Sequence, residues 1–164
     1  MEVTTITKRI ILESKYIDKE IRNHLLNKLN DTVLKDCSRE HGYILKILEI
    51  THIVEHFIER SNSQNIFVVE FRAEVLKPIE GLRIKANICM VYKDGLFLNI
   101  MDKQKMLIPK SNLTEYNFDD TNQIYVHKKI KDKSLKQEDE VEAIITAVGY
   151  NSKKFSCFGK IIEN

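Results

Sequence analysis

The chain has 164 residues, of which 26 are Lys or Arg and 24 are Asp or Glu, giving a formal net charge of +2. That length suits one domain or two small ones, and so even a charge balance excludes recognition of nucleic acid by bulk charge alone. Hydrophobic residues at 43% and charged residues at 30% exclude wholesale disorder, and no apolar run approaches the ~20 residues of a membrane helix. The first nine residues, Met1-Glu-Val-Thr-Thr-Ile-Thr-Lys-Arg9, lack a basic start followed by an apolar block, so no secretory signal is expected. Cys37, Cys89 and Cys157 are widely scattered without a CxxC pair, which suits reduced thiols in an intracellular setting.

In chain order, residues 3–12 are rich in Ile, Val and Thr and predict a first strand. Ile17, Ile21, Leu25, Leu29 and Val33 then recur every four residues, with Leu26 and Leu34 widening the stripe. This spacing predicts an amphipathic helix of about 18 residues, with Asp18 at its N-cap. Residues 35–42 break the stripe. Residues 43–50 and 53–58 predict two strands, 61–65 a polar turn, and 66–76 a half-buried strand in which Val69, Phe71, Ala73 and Val75 alternate with Glu70, Arg72 and Glu74.

The second half reads differently. Residues 84–92, 96–101, 105–109, 141–150 and 155–162 predict five short strands, interrupted by a polar, weakly patterned insertion at about 114–137. Five such strands fit a small Greek-key barrel of the OB type. The expected fold is therefore an α+β N-terminal domain, with one long helix on an antiparallel sheet, over residues 1–80, followed by an all-β OB barrel over 81–164. Residues 1–80 carry 12 basic and 13 acidic groups, and residues 81–164 carry 14 and 11. Basic surface thus belongs mainly to the barrel half. The run His127-Lys-Lys-Ile-Lys-Asp-Lys-Ser-Leu-Lys136 is followed at once by Glu138-Asp-Glu140, so the two blocks nearly cancel and read as a solvated loop.

Catalytic constellations are poorly supplied. His52-Ile-Val-Glu55-His56 matches H-x-x-E-H, a zinc-hydrolase pattern that requires both histidines on one helical face. Its β-branched and aromatic surroundings favour an extended chain, in which His52 and His56 share a sheet face ~13 Å apart and cannot chelate one ion. Cys37 and His41 lack further ligands, and no phosphate-cradling GxxxxGK[ST] or nucleophile elbow occurs. No catalytic residue, metal site or cofactor is expected. Binding remains: OB barrels hold single strands by stacking bases on aromatics while cations track the phosphates. The barrel half supplies Tyr92, Lys93, Phe97, Lys105, Lys110, Tyr150, Lys153, Lys154 and Phe155 for that purpose.

Gly42-Tyr-Ile-Leu45, preceded by Cys37, and Phe71-Arg-Ala-Glu-Val-Leu-Lys-Pro-Ile-Glu-Gly81, placed just before the barrel, resemble the stalk subunit of multi-subunit DNA-directed RNA polymerases. That family includes the seventh subunit of RNA polymerase II and its relatives. The resemblance spans roughly residues 4–162. It implies a non-catalytic, two-domain subunit whose N-terminal tip has a truncated ribonucleoprotein-like fold and docks on the polymerase core near the clamp. It also implies a second, helical stalk subunit as partner, nascent single-stranded RNA as a weak ligand of the barrel, and no membrane partner. Core-docking positions carried over are Arg39, Glu40, His41, Gly42, Ser61, Asn62, Ser63, Gln64 and Asn65. Through Gly95, which matches the family's hairpin glycine, Tyr92, Lys93 and Phe97 inherit an RNA-facing role, joined by Lys105, Lys110, Lys153 and Lys154 from the OB reading. Gly42, Arg72, Pro78, Gly81 and Gly95 are framework. The implied location is intracellular: the nucleus in a eukaryote, or host cytoplasm and virion for a large DNA virus. The alternative is a free-standing single-stranded-RNA-binding factor of translation or RNA processing.

Overall fold

A computed structural model describes residues 2–162. The chain divides into two compact units, Met1–Lys77 and Pro78–Asn164.

In the first unit, β1 (Glu2–Leu12), α1 (Ile21–Thr32), β2 (Cys37–Ser38), β3 (Gly42–Ile58) and β4 (Asn65–Leu76) form a sheet of order β1-β4-β3-β2 with one helix against it. All pairings are antiparallel. Leu25, Leu29 and Val33 bury the apolar stripe against Ile6, Ile10, Phe67, Val69, Phe71, Ala73 and Val75. Burial of each of these side chains apart from Ala73 stabilises by roughly 1.5–3 kcal/mol.

The helix is shorter than its stripe predicts, at 12 residues followed by a single 3-10 turn over Val33–Lys35. Asp18 does not cap it. Its Oδ1 instead accepts the Glu20 amide at 2.8 Å, closing a local turn ahead of the helix and leaving Ile17 exposed.

The two strands expected over 43–58 are one 17-residue strand. Against β4 its register slips at Ile44/Lys46, Ile47/Glu49, Ile50/His52 and Ile53/Glu55, so Leu45, Leu48, Thr51 and Val54 are each inserted as bulges. Alternation is broken every third residue, and Ile44, Ile47, Ile50 and Ile53 all pair with the core-facing Val75, Ala73, Phe71 and Val69.

In the second unit, β5 (Arg83–Tyr92), β6 (Gly95–Ile100), β7 (Gln104–Pro109), β11 (Glu140–Asn151) and β12 (Lys154–Ile161) close a barrel of order β11-β12-β7-β6-β5. The β7–β12 pair is parallel and the rest are antiparallel. Ile88, Leu96, Leu98, Met106, Ile108 and Ile145 fill the interior. The buried Gln104 amide ties β7 to β12, donating to the Phe155 carbonyl at 2.8 Å.

The insertion is not a plain loop. It holds a second sheet, β8 (Tyr116–Asp119), β9 (Ile124–His127) and β10 (Ser134–Leu135), in the order β10-β9-β8. Strands of two to four residues leave too little alternation to read from sequence. Burial of Tyr116, Tyr125 and Leu135 anchors them.

Candidate nucleic-acid interface

The outer surface of the barrel carries one continuous apolar row. Cross-strand pairing links Met90 of β5 to Phe97 of β6, Phe97 to Leu107 of β7, Leu107 to Phe158 of β12, and Phe158 to Ala147 of β11. On β6, β7 and β12 the residues flanking this row point inward: Leu96 and Leu98, Met106 and Ile108, Cys157 and Gly159 are buried. The row itself is half-buried or exposed, and Phe158 is 41% exposed.

Tyr92, 50% exposed, stands at the end of β5 beside this row. Its ring meets Phe97 edge-on at 6.1 Å, and its hydroxyl donates to Met90 Sδ at 3.0 Å. Gly95 lies opposite Tyr92 and Pro109. A Cβ there would overlap the Ile108 carbonyl oxygen and fall 3.1 Å from Pro109 Cα, so only glycine lets β6 approach β7 this closely. Exposed Tyr92 and Phe158 and half-buried Phe97 thus share one wall of the barrel, the kind of aromatic surface on which bases stack.

The sequence-derived cations do not form one cluster. Lys93 occupies the β5–β6 turn, and Lys110 follows β7 at the same end, its amide donating to the Asp94 carbonyl at 2.9 Å. Lys105 lies on the outer wall opposite Asn99, four residues and ~13 Å along β7 from Pro109. Lys153 lies in the β11–β12 turn and Lys154 opens β12, near the Gln104 end of β7 because β12 runs parallel to it. All five are exposed. They bracket the apolar row from both ends. Phe155 is buried with Tyr150 packed at 4.9 Å, so Phe155 belongs to the interior.

Sequence reasoning missed Phe158. In β12, Phe155, Cys157 and Gly159 are buried, and Lys154, Ser156, Phe158 and Lys160 are exposed. An aromatic in the polar register of an alternating strand is the signal that would have found it.

Tyr125 was also missed. Its ring is fully buried, and its hydroxyl donates to the carbonyl oxygens of Tyr92 at 2.5 Å and Lys93 at 3.0 Å. The inserted sheet therefore grips the hairpin that presents Tyr92 and Lys93. Burial, and next the charge of Asp94, hold this phenol above its ordinary range.

In the first unit the docking positions fall into two sets at opposite ends of β3. Arg39, Glu40 and His41 make the β2–β3 turn, in which the His41 amide donates to Ser38 Oγ at 3.1 Å. Gly42 follows with φ +76°, and a Cβ on it would overlap the Leu76 carbonyl oxygen. Ser61, Asn62 and Ser63 are exposed in the β3–β4 turn and Gln64 is half-buried there. Asn65 is buried, donating to Ser14 Oγ at 2.9 Å and meeting His56 Nε2 at 3.3 Å, so its side chain is not a surface group. Among framework positions, Arg72 pairs with Glu49 at 3.0 Å on the surface, Pro78 is buried, and Gly81 has φ +85°.

His52 and His56 do not share a sheet face. The Val54 bulge pairs His52 with Glu70 but His56 with Phe67, which lie on opposite faces of β4. The His56 ring stacks on Phe67 at 4.1 Å. Among the described residues, no group of three or more His, Cys, Asp or Glu is placed to hold a metal ion, and no helix is long and apolar enough to cross a membrane.

A closed five-stranded barrel with an aromatic outer wall is the framework of an OB-type binding domain. The S1 RNA binding domain family matches residues 77–157 of this chain. The chain is also similar to RNA polymerase II subunits. Over 92 residues, 56% of this chain and 52% of the relative, it is 27% identical to DNA-directed RNA polymerase II subunit RPB7 of Glycine max. It is 25% identical over the same lengths to DNA-directed RNA polymerase II subunit 7 of Arabidopsis thaliana. The chain spans about half the length of these curated relatives. Among solved structures, the apo form of Mycoplasma genitalium RNase R aligns with 51% of this chain and 13% of its own, at 17% identity and a TM-score of 0.41.

Proposed function

We propose that the chain is a non-catalytic subunit of a DNA-directed RNA polymerase, with the barrel as its contact to single-stranded RNA. The observation that carries the RNA reading is the outward row Met90–Phe97–Leu107–Phe158, flanked by Tyr92 and bracketed by lysines at both ends. Rings stack on bases of any sequence, and scattered lysines meet phosphates without reading bases. Binding should be sequence-tolerant, modest and steeply salt-dependent. The polymerase reading is supported by the similarity to the two plant RNA polymerase II subunits and by the Gly42–Leu45 and Phe71–Gly81 motifs.

In this reading the first unit is the tip. It docks on the polymerase core near the clamp, beside a helical partner subunit, and the chain contributes binding rather than chemistry. The two exposed turns at opposite ends of β3 are alternative docking points. Affinity purification of the tagged full chain from its own source should recover the large polymerase subunits. Glu40→Lys and Ser61→Trp, made separately, should identify which turn the core uses by loss of that recovery. Recovery of the native chain free of any polymerase subunit would overturn the assignment.

A further inference from the structure

The lysine-rich run and the acidic run that follows it nearly cancel in the sequence, but the fold ties them to different elements. Lys128, Lys129 and Lys131 are exposed on the turn before β10. The acidic run follows β10 and is tied to the barrel instead. The Glu138 amide donates to the Ile88 carbonyl at 2.7 Å, and the Ile88 amide to the Asp139 carbonyl at 2.8 Å. The Asp139 carboxylate turns back to accept the Lys136 amide at 3.2 Å. The acidic neighbours of the basic turn along the chain are Asp132, and Glu115 across a backbone pair.

The basic turn is closed by side-chain hydrogen bonds. His127 Nδ1 accepts the amides of Lys129 at 3.0 Å and Ile130 at 2.9 Å, which requires the ring to carry its proton on Nε2. The turn is also hitched to the barrel at two points. Tyr125, on the same strand, donates to the Tyr92 and Lys93 carbonyls. The Lys128 amide donates to the Glu115 main-chain carbonyl at 2.8 Å, just beyond the Lys110–Asn112 turn, whose Asn112 side chain donates to the Gly159 carbonyl of β12 at 3.0 Å. Lys93, Lys110 and the basic turn are thus joined through short hydrogen-bonded links at one end of the barrel.

From this juxtaposition we infer that the His127-capped turn is a second phosphate-contact element, extending the barrel's single-stranded-RNA track beyond the Tyr92–Lys93 hairpin through Lys128, Lys129 and Lys131. The inference rests on the RNA reading above. It makes the insertion a working part of the binding surface and gives the ligand a direction, from the stacking wall past the hairpin onto the inserted sheet.

The test is a fluorescence titration of the full chain with a labelled oligouridine of ~16 nucleotides, the upper end of an OB site, across a salt series. Each single-strand phosphate contact contributes about −0.7 to the slope of log affinity against log salt. The combined Lys128→Ala, Lys129→Ala, Lys131→Ala variant should flatten that slope by about 2 and lower affinity at ~0.15 M salt by about tenfold or more. The Lys→Arg triple should restore both, since charge rather than shape is what the contact needs. An unchanged slope in the alanine triple, with an unchanged melting temperature, would overturn the inference while leaving the barrel reading intact. If Phe97→Ala also leaves the native affinity unchanged, or the native chain binds no RNA, the barrel reading falls and takes this inference with it.

Discussion

The hydroxyl of Tyr125 donates to the main-chain carbonyl oxygen of Tyr92 at 2.5 Å, across 33 residues of chain. One buried phenol therefore fixes the exposed hairpin from behind. Tyr125→Phe keeps the packing but leaves two carbonyls without that donor, at a cost of about 1–3 kcal/mol. The expected result is a lower melting temperature and faster amide exchange at residues 92–95. Because folding holds this phenol above its ordinary value of 10.0, its stabilisation is complete below that pH and is lost as pH rises through the folded value. The native chain should lose stability above about pH 10, and the Phe variant should lose less over the same range.

Phe158 and Phe97 separate binding from folding. Phe158 is 41% exposed, so Phe158→Ala removes a ring face while leaving the interior filled. Each of Phe158→Ala and Phe97→Ala should weaken single-stranded RNA by about 1–3 kcal/mol, and Phe158→Ala should shift the melting temperature little. Equal affinity for native chain and Phe158→Ala would exclude β12 from the stacking wall.

Gly42 is where the first unit tolerates no side chain. At φ +76° a Cβ would meet the Leu76 carbonyl and lie 2.7 Å from Lys77 Cα, all of it backbone rather than a side chain that could move aside. Gly81, at φ +85°, has nothing within 4 Å of the same position. Gly81→Ala should cost about 1–2 kcal/mol of conformational strain, and Gly42→Ala clearly more. Chemical denaturation of the two variants compares them directly. Similar losses would mean that the β2–β3 turn relaxes freely.

Cys157 faces the barrel interior, and burial pushes its thiol up to about 11 from an ordinary 9.0. Thiolate, not thiol, is the nucleophile. Alkylation near neutral pH should therefore modify the half-buried Cys89 well before Cys157, which should react only as the barrel opens. The raised value also means that stability present below about pH 9 is lost as pH climbs toward 11. Mass spectrometry of timed alkylation checks the order, and early labelling of Cys157 would indicate a loosely closed barrel.

What the sequence makes legible follows from the length of each pattern. Leu25 and Leu29 carry the helix's buried face and Val33 extends it into the 3-10 turn, and the five barrel strands are long enough for alternation to show. β3 read as two strands because its four bulges convert a period of two into a period of three through Ile44, Ile47, Ile50 and Ile53. The same bulging reversed the expected placement of His52 and His56. The inserted sheet was unreadable for a different reason: β8, β9 and β10 are pinned by single side chains such as Tyr125, reaching across more than thirty residues, and no local pattern encodes such a reach. At the candidate site, Tyr92 and Phe97 were visible as aromatics near a turn, whereas Phe158 needed the register of β12 to show that it points outward.

The run of bulges in β3 has a further effect. Beyond Gly42 and Tyr43, which β2 covers, this strand borders the sheet, and a straight, greasy border of that length would invite a second molecule to zip on and seed fibrils. A kink at every third residue denies any incoming strand a matching ladder. The protein thereby keeps one of its longest strands from being copied, even with Val54 57% exposed along it.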